Sequence, residues 1–163
     1  MGFESFQVEL RGERANYLDA DRAIRNLPGI RPDPRGGFML GSYYLFEDGR
    51  HVVELHLFDS PMSLSCRFAL CHPDSIDAAF VELVRVLMGS LGIEAMIPDD
   101  VSEHAHWFSL AEFAEFAARL PEYIAIRRQE WIAAFGAVRA TATTSEAFER
   151  FILPSCLPVV LQP

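Results

Sequence analysis

Lysine is missing from this chain: all 14 cationic side chains are arginine, set against 23 acids in 163 residues. Base composition in a GC-rich coding sequence is the bland origin of that bias. Selection for the bidentate guanidinium fork is the functional one. Positive charge is short overall, and the formal net charge of −9 argues against a generic nucleic-acid binder, which needs a basic patch to displace counterions.

Cysteine is scarce too. Cys66, Cys71 and Cys156 form an odd set without Cys-x-x-Cys spacing, so neither a disulfide framework nor a zinc ribbon is expected. Reduced thiols and a cytoplasmic setting follow. No segment approaches the roughly 18 apolar residues of a membrane span. The first six residues carry Glu4 and no basic flank, unlike a secretory signal, and Phe6 stands where the myristoylation pattern requires Ser or Thr. Phosphate-binding loops are absent as well, because Arg35-Gly36-Gly37-Phe38 has neither the P-loop lysine nor the dinucleotide spacing. There is no Gly-x-Ser-x-Gly elbow or His-Glu-x-x-His motif, and no cofactor is expected.

Apolar residues are plentiful at 50%, with 13 phenylalanines. That composition excludes intrinsic disorder and suffices for the core of one domain. Residues 5–10 alternate, with Phe6, Val8 and Leu10 on one side and Gln7 and Glu9 on the other, the mark of a half-buried strand. Asn16 caps a helix over 16–27 whose apolar positions are Leu18, Ala20, Ile24 and Leu27. Residues 28–41, rich in proline and glycine, read as a loop.

Two β-rich runs, 43–46 and 51–58, flank Asp48-Gly49 and predict a hairpin. A third strand follows Pro61, with Met62, Leu64, Cys66, Phe68 and Leu70 alternating inward. Asp74 or Ser75 opens a second helix carrying Ile76, Phe80, Leu83, Val84, Leu87 and Leu91 on one stripe. Residues 93–97 read as a short buried strand, and Ser109-x-x-Glu112 is a capping box. Its helix presents Leu110, Phe113, Ala117 and Leu120, and a stretch over 121–135 either continues it or begins a new helix at Pro121. A short helix from Thr143 and a proline-punctuated tail close the chain.

The expected fold is a single α+β domain over residues 1–163. An antiparallel sheet of about five strands and two crossover helices fill residues 1–100, in the ferredoxin-like order β-α-β-β-β-α-β. A helical extension and proline-rich tail occupy 101–163. Fold order by itself assigns no function.

Three groups of residues invite chemistry. Strand parity puts Gln7, Glu9, Glu54, His56, Ser63, Ser65 and Arg67 on the sheet face opposite the apolar one. Gln7, Glu9, His56, Ser65 and Arg67 there can bind a small polar ligand or a protein. His56, Glu54 and Arg67 are also the weak candidates for acid–base catalysis; the plain alternative is a solvated sheet face. Cys71 precedes a helix N-terminus, where a thiolate is favoured, but adjacent His72 points the other way along a strand and is a poor base. His104 and His106, with nearby acids, are weak metal ligands in a stretch whose spacing fits a solvated loop better; no metal is expected.

Residues 94–122 hold seven acids against the single cation Arg119. This acidic surface suits a basic protein partner, and the aromatic-rich helical stretch suits a possible homodimer. A protein- or small-ligand-binding module is therefore the expected function. A small enzyme using the sheet-face cluster or Cys71 is the alternative. Neither nucleic acid nor membrane is an expected partner.

Overall fold

A computed structural model describes residues 5–12, 16–33, 41–59, 61–70, 72, 74–97 and 106–135. Among these residues, six strands form one sheet: β1 (Ser5–Arg11), β2 (Ile30–Pro32), β3 (Ser42–Glu47), β4 (Val52–Phe58), β5 (Ser63–Ala69) and β6 (Glu94–Met96). Their spatial order is β2-β3-β4-β5-β1-β6, and every neighbouring pair is antiparallel. The helices among the described residues are α1 (Tyr17–Arg25), α2 (Ile76–Leu91) and α3 (Phe113–Phe135), the last preceded by a 3-10 turn at Leu110–Glu112.

The sixth strand is β2, which lies inside the expected loop. Gly29, at φ 76°, turns the chain after α1, and the Glu47 N–H donates to the Gly29 carbonyl at 2.8 Å. Ile30 and Pro32 then fall opposite Phe46 and Tyr44. Pro32 cannot donate to a ladder, which is tolerable on an edge strand.

Period-2 alternation puts Phe6, Val8, Leu10, Val53, Leu55, Leu57, Leu64, Cys66 and Phe68 into one core with α1 and α2. The Phe80 ring from α2 meets Phe68 edge-on at 4.8 Å between centroids and Phe6 at 6.2 Å. The stripe of α2 is buried as expected through Ile76, Phe80, Leu83, Val84 and Leu87, with Met88 added. On α1 the Asn16 side chain accepts from the Asp19 N–H at 2.9 Å, and Ala20 and Ile24 are buried. Leu18, expected on that face, is 71% exposed, because the α1 stripe runs through Ala20 and Ile24 and leaves it on the far side. Tyr44 ties α1 to the sheet by donating to Asp21; burial and that bond push its phenol up to about 12.

Pro121 does not divide the last helix, and α3 runs through it. Pro121 is exposed, so water can satisfy the carbonyl its missing N–H leaves behind. The buried stripe of α3 is Phe116, Leu120, Ile124 and Trp131; of the expected stripe Leu110, Phe113, Ala117 and Leu120, Leu120 is buried, Phe113 packs against the core and Ala117 is half-buried, whereas Leu110 is 50% exposed. Leu110 lies in the 3-10 turn before α3, whose three-residue period leaves it off the stripe that the helix buries. Arg128 on α3 holds Asp77 on α2 through two contacts of 3.0 and 2.7 Å. The expected helix from Thr143 and the tail lie outside the described residues. Among those described, no helix is long and apolar enough to cross a membrane.

Candidate functional site

The sheet face turned away from α1 and α2 carries two adjacent cross-strand rows. In the first, Gln7 lies opposite Arg67, Arg67 opposite Glu54, and Glu54 opposite Leu45. In the second, Glu9 lies opposite Ser65, Ser65 opposite His56, and His56 opposite Tyr43. All five expected binding residues therefore share one face with Glu54. Parity alone accounts for this, since neighbours two apart on a strand point the same way.

None of Gln7, Glu9, Glu54, His56, Ser65 and Arg67 is exposed; each is half-buried, and Leu45 and Val52 on the same face are buried. The face is therefore partly shielded from solvent rather than fully open. Burial changes the chemistry of the charges there. Glu9 accepts from the Gln7 amide; burial pushes its carboxyl above the ordinary value, while hydrogen bonds from Gln7 and Ser65 pull the other way. Both contributors are neutral donors, so they solvate the carboxylate without cancelling its charge.

Arg67 and Glu54 neutralise each other, with Arg67 Nε 2.8 Å from Glu54 Oε2 and Nη2 on the same oxygen. Glu54 is thereby engaged by a guanidinium rather than set as a base toward His56. Burial also raises the Tyr43 phenol, with Arg67 lowering and Glu54 raising it by their charges. The second row ends in an aromatic shelf. The His56 ring stacks on Tyr43 at 3.8 Å and 17°, and the Phe58 ring centroid lies 3.6 Å away. Gly41 makes room for this shelf, because a Cβ there would sit 3.1 Å from His56 Nε2.

Other expected residues are less informative. Cys71 and His104 lie outside the described residues. His106 has its Nε2 4.0 Å from Glu112 Oε1 and packs edge-on to Phe108 at 4.2 Å. No three potential ligands gather for a metal among the described residues. Glu94, Glu112, Glu115 and Glu122 are exposed, and Arg119 pairs with Glu115. The aromatic residues behind the homodimer expectation turn largely inward: Phe108, Phe116 and Trp131 are buried, and Phe113 and Tyr123 pack against that core.

Tyr43 and Phe58 are absent from the sequence-derived site. Their signal is the same parity, extended to β3 and to the end of β4. A second polar group was also missed, at the β3–β4 turn. Asp48 Oδ1 accepts from the backbone N–H groups of Arg50 and His51 at 2.9 and 2.7 Å. Its Oδ2 lies 2.7 Å from His51 Nδ1, and His51 Nε2 lies 2.8 Å from Ser75 Oγ. Partial burial would raise the Asp48 carboxyl, but the His51 and backbone bonds outweigh it and hold it below the ordinary value. Behind His51 sits His72, buried, with Nε2 3.1 Å from the Val52 carbonyl. Burial, then the neighbouring His51, depresses its imidazole to about 4.

No protein-family model, curated protein or solved structure matches this chain.

Proposed function

We propose that the chain is a recognition module that binds a cationic group of a basic protein partner, or of a small polar ligand, on the second row of its sheet face. One observation supports this most: Glu9 is half-buried among neutral donors, two strands from the Tyr43–His56–Phe58 shelf. A carboxylate whose charge is penalised by burial gains when a cation is brought to it. An aromatic shelf in the same row offers a face for a guanidinium or ammonium. Ser65, between them, supplies a hydroxyl to orient the ligand. The chain's net charge of −9 would draw such a partner from a distance. Arg67, held on Glu54, frames the row.

The strand run β4-β5-β1-β6 supports reading this scaffold as a ferredoxin-like unit extended by β2 and β3 at one edge, although that order carries no function.

Fluorescence anisotropy with a labelled arginine-rich peptide tests the proposal. Binding should weaken about tenfold or more in Glu9→Gln, an isosteric change that removes only the charge. A glutamate-rich peptide of equal length should not bind. Equal affinity in wild type and Glu9→Gln would reject the site.

A further inference from the structure

The Asp48–His51–Ser75 group at the other end of β4 has a different geometry. Asp48 opens the β3–β4 turn, and its carboxylate is fixed by two backbone N–H bonds and by His51 Nδ1. An ionised carboxylate only accepts, so Nδ1 carries the proton and donates it to Asp48. Neutral His51 then leaves Nε2 as an acceptor, and the hydroxyl 2.8 Å away belongs to Ser75. The chain thus aligns carboxylate, imidazole and hydroxyl in the order that activates a serine.

Two further features separate this group from a simple turn tether. Ser75 immediately precedes α2 yet makes no side-chain capping bond; the first turn is closed instead by the Asp77 N–H on the Asp74 carbonyl at 3.1 Å. Its hydroxyl is thus committed to His51. The surroundings are also graded: the His51 side chain is 9% exposed, whereas Ser75 is exposed. The base is shielded while the nucleophile is reachable. Neutral His72 lies 6.3 Å from the His51 ring between centroids, so it adds no charge opposing an imidazolium. Asp74 and Asp77, which flank Ser75, are both held by Arg128.

We propose that Asp48, His51 and Ser75 form an acyl-transfer site for small, unhindered carboxylic esters. Ser75 Oγ attacks the ester carbonyl carbon as its proton passes to His51 Nε2, while Asp48 holds the imidazolium. The carbonyl–alkoxy bond breaks, and His51 returns the proton to the departing alcohol. Water, deprotonated by the same imidazole, then attacks the acyl-serine, releasing the carboxylic acid and restoring the Ser75 hydroxyl. The N-terminal end of the α2 dipole, beside Ser75, favours the negative charge that develops on the carbonyl oxygen.

Full-length protein is treated with a fluorophosphonate probe and assayed with p-nitrophenyl acetate, and the labelled peptide is identified by mass spectrometry. One adduct on Ser75 is expected. Labelling should vanish in Ser75→Ala and slow about 100-fold in His51→Gln, with acetate hydrolysis falling in parallel. A Ser75→Cys variant guards against a folding defect in the His51 variant. In an otherwise native chain, its thiol should be alkylated by iodoacetamide with an apparent pKa at least one unit below the ordinary value of about 8.5. No adduct on Ser75, equal labelling with and without His51, or an ordinary thiol titration in Ser75→Cys would overturn the proposal.

Discussion

Arg67 and Glu54 face each other across the β5–β4 ladder, and both guanidinium contacts fall on a single carboxylate oxygen, Oε2. The pair sits on a half-buried face, so neither charge is fully relieved by water. A double-mutant cycle with Arg67→Met and Glu54→Gln should return a coupling of about 1 kcal/mol in chemical denaturation. Arg67→Met alone should cost about 1–3 kcal/mol, because it leaves a shielded carboxylate without its cation. A coupling near zero would mean that the pair is as weak as an exposed surface bridge.

Acid should destabilise the fold through His72. Its folded-state imidazole titrates at about 4, against about 6.5 in an unfolded chain. Between those values the unfolded chain binds the proton and the folded chain does not. This contribution is fully present above pH 6.5 and is lost as the pH falls toward 4, up to about 3 kcal/mol in all. Urea midpoints from pH 7 to 4.5 should fall in wild type, and the slope should flatten in His72→Asn. An unchanged slope would place the titration elsewhere.

Two aliphatic residues on α1 separate the observed face from the expected one. Ile24→Ala should cost about 2–5 kcal/mol, as in other fully packed sites. Leu18→Ala should stay within about 0.5 kcal/mol, because Leu18 is 71% exposed. Comparable losses at the two positions, read from thermal unfolding, would contradict the packing of α1.

Gly41 and Gly49 both have positive φ, at 128° and 84°, but differ in the space around them. A Cβ on Gly49 meets nothing within 4 Å, so Gly49→Ala should cost only the left-handed penalty of about 1–2 kcal/mol. A Cβ on Gly41 would collide with the Leu57 carbonyl and press on His56. Gly41→Ala should therefore cost about 3 kcal/mol or more and shift the His56 ring resonances. Equal stability of the two variants would contradict the close approach of Gly41 to β4.

The sequence carried the α+β class, the hairpin around Gly49 and the inward positions of β1, β4 and β5, because alternation is local and one register fits it. The strand β2 was hidden, since three residues next to prolines have no period to read and become a strand only by pairing with β3. The phase of α3 was legible at Phe113 and Leu120, while Leu110, in the 3-10 turn before the helix, falls off the stripe. On the polar face, parity brought Glu9, Ser65, His56 and Arg67 together, but their half-burial depends on the tertiary surroundings and left no mark in the sequence. Ser75 meets His51 across 24 positions, a distance no motif spans.

The recognition reading stands on Glu9 and the shelf two strands away. Amide shift mapping on isotopically labelled protein, titrated with the arginine-rich peptide, tests it most directly. The account predicts saturable shifts at Glu9, Ser65, His56 and Tyr43 that are lost in Glu9→Gln and absent with the glutamate-rich peptide. Shifts confined to the exposed acids Glu112, Glu115 and Glu122, with those four amides unmoved, would contradict it.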